Sequence, residues 1–172
     1  MIKFMGSFER VSDLPAHPTI SEYAFVGRSN VGKSSLLNAV VGSVVARVSN
    51  TPGRTRSLNL FNVDDKIWLM DLPGYGYAKA SKSDQIEWLE RLEEYLSVRA
   101  ELKQVFILID SRIGVKDLDR TIIDFCAVEK IPYKIIYTKS DKKGAQKFLD
   151  GIITSSEKKI GIDEVKKEIG LK

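Results

Sequence analysis

Apolar residues along the chain fall into short runs separated by polar, glycine-rich turns. Tyr23–Val26 is a compact apolar run that ends in a turn. The segment Lys33–Val41 follows with helical character and stops at Gly42. Leu58–Val63 and Lys66–Met70 flank Asp64-Asp65 and predict a hairpin. Ile86, Leu89, Leu92, Tyr95 and Leu96 recur at helical spacing, with Glu87 and Arg91 paired at i,i+4 on the outer side. Val105–Ile109 is continuously apolar, as expected of a strand buried on both faces. Asp117–Lys130 predicts a helix, Tyr133–Tyr137 a strand, and Gln146–Asp150 and Asp163–Ile169 two more helices. Residues 1 to about 20 predict an extended arm, because Pro15 and Pro18 disfavour helix and no apolar period is established.

This alternation of strands and helices implies an α/β fold, a mainly parallel sheet with one antiparallel edge strand and helices on both faces. No repeat or second hydrophobic pattern marks a boundary, so one domain over residues 1–172 is expected. In such sheets ligands bind at the carboxyl ends of the strands, and that is where chemistry should be sought.

Composition narrows the class. The 172 residues are 43% hydrophobic and 29% charged, the balance of a globular domain. No apolar run approaches the length of a membrane span, and the first residues lack a secretory h-region, so a cytoplasmic protein is expected. The single Cys126 sits in an apolar segment and reads as core. The net charge of +4 is mild. Basic residues gather at Arg47, Arg54 and Arg56, at Lys142, Lys143 and Lys147, and at Lys158, Lys159, Lys166 and Lys167. Each group taken alone reads as solvated surface.

The candidate chemistry lies just after the predicted strands. Gly27-Arg28-Ser29-Asn30-Val31-Gly32-Lys33-Ser34 is a complete G-x-x-x-x-G-K-[ST] between a strand and a helix. Its backbone N–H groups and the helix N-terminus suit phosphates, Lys33 would neutralise the β- and γ-phosphates, and the Ser34 hydroxyl would ligate magnesium. Asp71-Leu72-Pro73-Gly74 follows the next strand. Asp71 is suited to hold the magnesium through water, and the Gly74 N–H to meet the γ-phosphate, which makes Gly74–Ala80 a candidate switch. Thr138-Lys139-Ser140-Asp141 selects the base: a carboxylate accepts the N1–H and N2 amine of guanine, donors that adenine lacks as a pair. The Lys139 stem would cover the purine. Thr154-Ser155-Ser156 can offer groups to the guanine edge. Between the first helix and the hairpin, Gly53, Arg54 and Thr55 form the second candidate switch. Thr55 is the chosen magnesium hydroxyl, with Thr51 as a turn-forming rival.

The strings Gly-Arg-Ser-Asn-Val-Gly-Lys-Ser, Thr-Pro-Gly-Arg-Thr, Asp-Leu-Pro-Gly-Tyr-Gly-Tyr-Ala and Thr-Lys-Ser-Asp closely resemble the EngB family of bacterial GTPases, over essentially the whole chain from about Ser21. The resemblance implies a P-loop GTPase G-domain that takes GTP or GDP with Mg²⁺ on Ser34 and Thr55. It also implies guanine recognition by Lys139 and Asp141, and an association with large-subunit assembly or with division septum formation. Asp110-Ser111-Arg112 with Asp119 resembles the family's Asp-x-Arg segment, but Ile113-Gly114-Val115 replaces its usual His/Pro-containing stretch.

Catalysis is expected to rest on Lys33, Thr55 and Gly74. Tyr75 stands where signalling GTPases place a water-orienting glutamine, which predicts slow turnover. Asn30 matches a position that holds K⁺ in related GTPases, or else is simply a turn residue. Arg54 and Arg56 fit either an internal arginine finger or a contact to ribosomal RNA. A phosphotransferase would need an acceptor lid and a base, and neither is legible. A monomer is expected, with the basic tail Glu164–Lys172 as a surface facing RNA.

Overall fold

The computed structural model describes residues 1–46, 57–76 and 79–171. Its strands are β1 (Ile2–Phe8), β2 (Ser21–Gly27), β3 (Leu58–Val63), β4 (Ile67–Asp71), β5 (Leu102–Asp110), β6 (Tyr133–Thr138) and β7 (Gly151–Ile153). The helices are α1 (Lys33–Val41), α2 (Lys82–Val98), α3 (Asp117–Val128) and α4 (Ile162–Glu168). One sheet has the order β1-β3-β4-β2-β5-β6-β7. The run from β4 through β7 is parallel, whereas β3 pairs antiparallel with both β4 and β1.

Strand β5 shows why the sheet needs cover on both sides. Val105, Ile107 and Ile109 join one core with Leu92, Tyr95 and Leu96 of α2 and Ile122 and Cys126 of α3. Phe106 and Leu108 point the other way, into a core with Leu36, Leu37 and Val40 of α1 and Ile162 and Val165 of α4. Successive residues of a strand face opposite sides, so a continuous apolar run feeds two cores at once.

Two expectations require correction. The N-terminal segment does not stand apart as an arm. Its first part is edge strand β1, in register with β3 from Ile2–Val63 to Phe8–Leu58, with an irregularity between Phe4 and Gly6. Lys3, Gly6 and Ser7 break any clean alternation, so its partner decides its state and not its own pattern. Gln146–Asp150 is not helical. Phe148 instead stacks on Tyr137 at 3.8 Å between ring centroids, and Asp150 Oδ1 accepts the Tyr137 hydroxyl at 2.9 Å. Tertiary contacts override a weak local preference there.

The end of the sheet away from the motifs is tied by a buried charge. Glu22, at the start of β2, accepts from Arg99 Nη2 at 2.5 Å and from the Tyr95 hydroxyl. Arg99 Nη1 also donates to the Pro15 carbonyl at 2.9 Å, which fastens the segment before β2 to the body.

Candidate functional site

The register aligns the carboxyl ends of the parallel strands. Phe25 pairs with Asp71, Gly27 with Leu108, and Asp110 with Thr138. The segments that leave these positions therefore emerge side by side.

The first is the loop from Gly27 to α1. Asn30 (φ 63°) and Gly32 (φ 102°) both adopt left-handed backbone, and Val31 between them is buried in the core. That reversal is what lets Leu36 N–H reach Gly32 O at 2.9 Å and start the helix at Lys33. The Lys33 ammonium forms an ion pair with Asp71 Oδ1, and both side chains are nearly buried.

The turn after β4 is fastened to this loop. Leu72 N–H donates to Phe25 O at 3.0 Å, Tyr75 N–H to Gly27 O at 3.3 Å, and Ser29 N–H to Tyr75 O at 2.7 Å. Gly74 lies so close that a Cβ there would sit 3.2 Å from Ser29 Cα. From the other side, Trp88 of α2 donates its indole N–H to Pro73 O at 2.9 Å.

The end of β6 meets the same loop. Thr138 Oγ1 donates to Val31 O at 2.6 Å, and Lys139 Nζ donates to Asn30 O at 2.6 Å. Lys139 Nζ also lies 3.2 Å from Asp110 Oδ2. Arg112 grips Asp110 with Nε at 3.0 Å and Nη2 at 2.7 Å. Burial alone would raise the Asp110 carboxyl pKa. The bonds from Arg112 and Lys139 outweigh it and hold that pKa down at about 2.

Asp141 has two partners. Oδ1 accepts from the Ser155 hydroxyl at 2.6 Å, and Oδ2 lies 3.1 Å from Lys142 Nζ. The Ser155 bond, with Lys142 behind it, holds this carboxyl below the usual carboxylate range. Thr154 and Ser155 are buried just after β7. Thr154 N–H donates to Tyr137 O at 2.7 Å, and Ser140 N–H to Thr154 O at 3.1 Å. Lys142 also pairs with Glu157, so this lysine joins the two base-side loops and is not free surface charge.

Four of the five segments predicted as the site thus converge: Gly27–Ser34, Asp71–Gly74, Thr138–Asp141 and Thr154–Ser156. Gly53, Arg54 and Thr55 lie outside the described residues, as do Thr51, Arg47, Arg56, Tyr77 and Ala78. Two links carry no local signal. Asp119 accepts the Tyr75 hydroxyl, and Glu157 pairs with Lys142. The first joins the turn after β4 to helix α3 and the second joins two loops, both beyond the reach of spacing rules.

The donors near Lys33 suit a hard cation. Asp71 already takes a positive charge from Lys33, and the Ser34 hydroxyl follows on the first turn of α1. Carboxylate and hydroxyl oxygens are magnesium ligands. No group of three His, Cys, Asp or Glu side chains gathers among the described residues. Phosphate oxygens would complete the sphere of a cation held by Asp71 and Ser34.

A mainly parallel sheet with a phosphate-type loop after β2 and a Thr-Lys-x-Asp turn after β6 defines a P-loop GTPase domain. The sequence profile described as "50S ribosome-binding GTPase" matches residues 22–139. A probable GTP-binding protein EngB from Aquifex aeolicus is 49% identical over 142 residues, which cover 82% of this chain and 76% of that one. Its counterpart from Mycoplasmopsis synoviae is 41% identical and covers 98% of both chains. A crystal structure of a probable GTP-binding protein engB shares the fold, with a TM-score of 0.72 at 22% identity over 87% of this chain and 97% of that one. An Era structure in complex with MgGDPNP and a fragment of 16S ribosomal RNA has a TM-score of 0.65 at 26% identity, covering 89% of this chain and 56% of its own. This chain belongs to the EngB family of GTP-binding proteins.

Proposed function

We propose that this chain is a GTP-controlled switch of the cytoplasm that binds GTP with Mg²⁺, hydrolyses it slowly and assists assembly of the large ribosomal subunit. The observation that carries the nucleotide choice is the Asp141 carboxylate, held by Ser155 at 2.6 Å beside Lys139, which itself lies across the phosphate loop at Asn30. Asp141 accepts the paired donors of guanine, and an adenine in the same place would leave a carboxylate oxygen unmet. Lys139 covers the purine, while Thr138, Ser140, Thr154 and Ser156 shape the walls. The backbone amides from Arg28 to Ser34 and the Lys33 ammonium take the phosphates. Magnesium, held by Ser34, Asp71 and Thr55, would neutralise charge on the β- and γ-phosphates. Leu72 and Pro73 carry the backbone to Gly74, whose N–H meets the γ-phosphate.

Slow turnover is supported by where Tyr75 points. Its hydroxyl is buried against Asp119, so it does not orient an attacking water. The acceleration that remains is electrostatic, from Lys33 and the loop amides. A potassium ion beside Asn30 is part of the proposal, with equal rates in KCl and NaCl as the result against it.

The ribosomal role rests on the family description and on the basic surface, including Lys166 and Lys167 in the last turn of α4. The test is co-sedimentation with isolated large subunits, with the protein loaded with GDP or a non-hydrolysable GTP analogue. Pelleting only with the analogue is the expected result. Equal pelleting in both states would mean charge-driven adsorption. No pelleting at moderate salt would remove the ribosome and favour the role in division.

A further inference from the structure

The residue after Gly74 is anchored at both its ring and its hydroxyl. Tyr75 is 3% exposed and Asp119 fully buried, and the Tyr75 hydroxyl donates to Asp119 Oδ1. The other oxygen of Asp119 accepts the backbone N–H of Lys116 at 2.8 Å, at the entry to α3. The Tyr75 ring packs on Trp88 of α2 at 4.7 Å between centroids, and the Trp88 indole holds Pro73. Gly74 therefore has an anchor on each side, one to α2 and one to α3. Burial, reinforced by Asp119, pushes the Tyr75 hydroxyl pKa far above its ordinary value, so it remains a donor.

The latched turn presses Gly74 against Ser29, the approach a γ-phosphate contact needs. If residues 74–76 withdrew from the phosphate loop as a unit, Asp119 would keep one buried oxygen without its donor, which is costly. We infer that Tyr75 and Asp119 are a positioning pair that holds the Gly74 amide at the phosphate loop, favouring GTP over GDP and coupling the bound nucleotide to the start of α3. This rests on the reading that Gly74 meets the γ-phosphate.

The test is a pair of dissociation constants, for GDP and for a non-hydrolysable GTP analogue. Tyr75→Phe keeps the ring on Trp88 and deletes only the hydroxyl. The expected result is an analogue affinity lower by about tenfold, with GDP affinity within about twofold, the scale of one hydrogen bond to a charged group. Asp119→Asn leaves one acceptor oxygen for two donors, the Tyr75 hydroxyl and the Lys116 N–H, and should shift the ratio the same way. An unchanged ratio, or an equal loss for both nucleotides, overturns the inference. Gly74→Ala separates this from the underlying reading. If its ratio is also unchanged, the γ-phosphate contact itself is wrong. If only Gly74→Ala loses the analogue, the contact stands and the positioning pair does not.

Discussion

The Ser155 hydroxyl donates to Asp141 Oδ1 at 2.6 Å, and so the last loop of the fold orients a carboxylate fourteen residues earlier. Asp141 gains both a fixed rotamer and an acceptor kept ionised. Asp141→Asn should weaken GDP binding by roughly 10²–10⁴-fold, because the amide presents a donor to the guanine N1–H. Binding of xanthosine diphosphate should rise in the same variant. Ser155→Ala should cost only about tenfold and keep the guanine preference. Fluorescent-nucleotide titrations with both bases read all of this.

Lys33 and Asp71 provide a second test, because each is the other's buried partner. Lys33→Ala should abolish measurable nucleotide binding. It should also lower the stability of the protein without nucleotide by about 3 kcal/mol, the scale for a buried charge left alone. Adding Asp71→Asn should restore most of that stability and none of the binding. Urea melts of the single and double variants separate these two effects, and a double variant no more stable than Lys33→Ala would count against the pairing.

At the opposite end of the sheet, Arg99 neutralises Glu22, which is fully buried. Arg99→Ala should destabilise the fold by about 3–5 kcal/mol. Guanine-nucleotide affinity should stay within about twofold, since Glu22 begins β2 and the phosphate loop leaves its other end. A large loss of affinity at a temperature where the variant is folded would show coupling along the strand.

Acid stability should carry the mark of Asp110, whose carboxyl pKa is held at about 2 by Arg112 and Lys139 against its burial. Folding depresses this pKa, so the group stabilises the fold above the ordinary carboxylate range. That stabilisation is lost as pH falls from about 4 toward 2, where the unfolded chain binds the proton first. Between pH 5 and 3 the urea midpoint should therefore fall less steeply in Asp110→Asn than in the unaltered protein. Equal slopes would mean that other carboxylates dominate.

Much of this protein is legible without coordinates. Lys33–Val41 is helical from end to end as its pattern predicts, because glycines with left-handed backbone bracket it. The pairing of Glu87 with Arg91 is present at 3.5 Å, as helical spacing implies. The β5 run reads as doubly buried because an apolar segment without alternation has no polar face to show. Gly27–Ser34, Thr138–Asp141 and Thr154–Ser156 lie at the ends of β2, β6 and β7, as their sequence context predicts, because each is a contiguous run beside an apolar strand segment.

What the chain pattern did not decide depends on partners distant in sequence. Residues 2–8 have too little alternation to declare a strand, and the free edge of β3 recruits them. Ile86 shares the helical period of α2 yet is 57% exposed, because the period fixes a stripe and not how far the sheet reaches beneath it. Gln146–Asp150 gave up helix for the face of Tyr137. Tyr75 and Asp119 lie 44 residues apart, and no local rule joins them. Local sequence determined which backbone segments could cradle a nucleotide. Only the packing of α2 and α3 onto the sheet decided which side chains hold those segments in place, because burial makes an unmet polar group costly enough to enforce its partner.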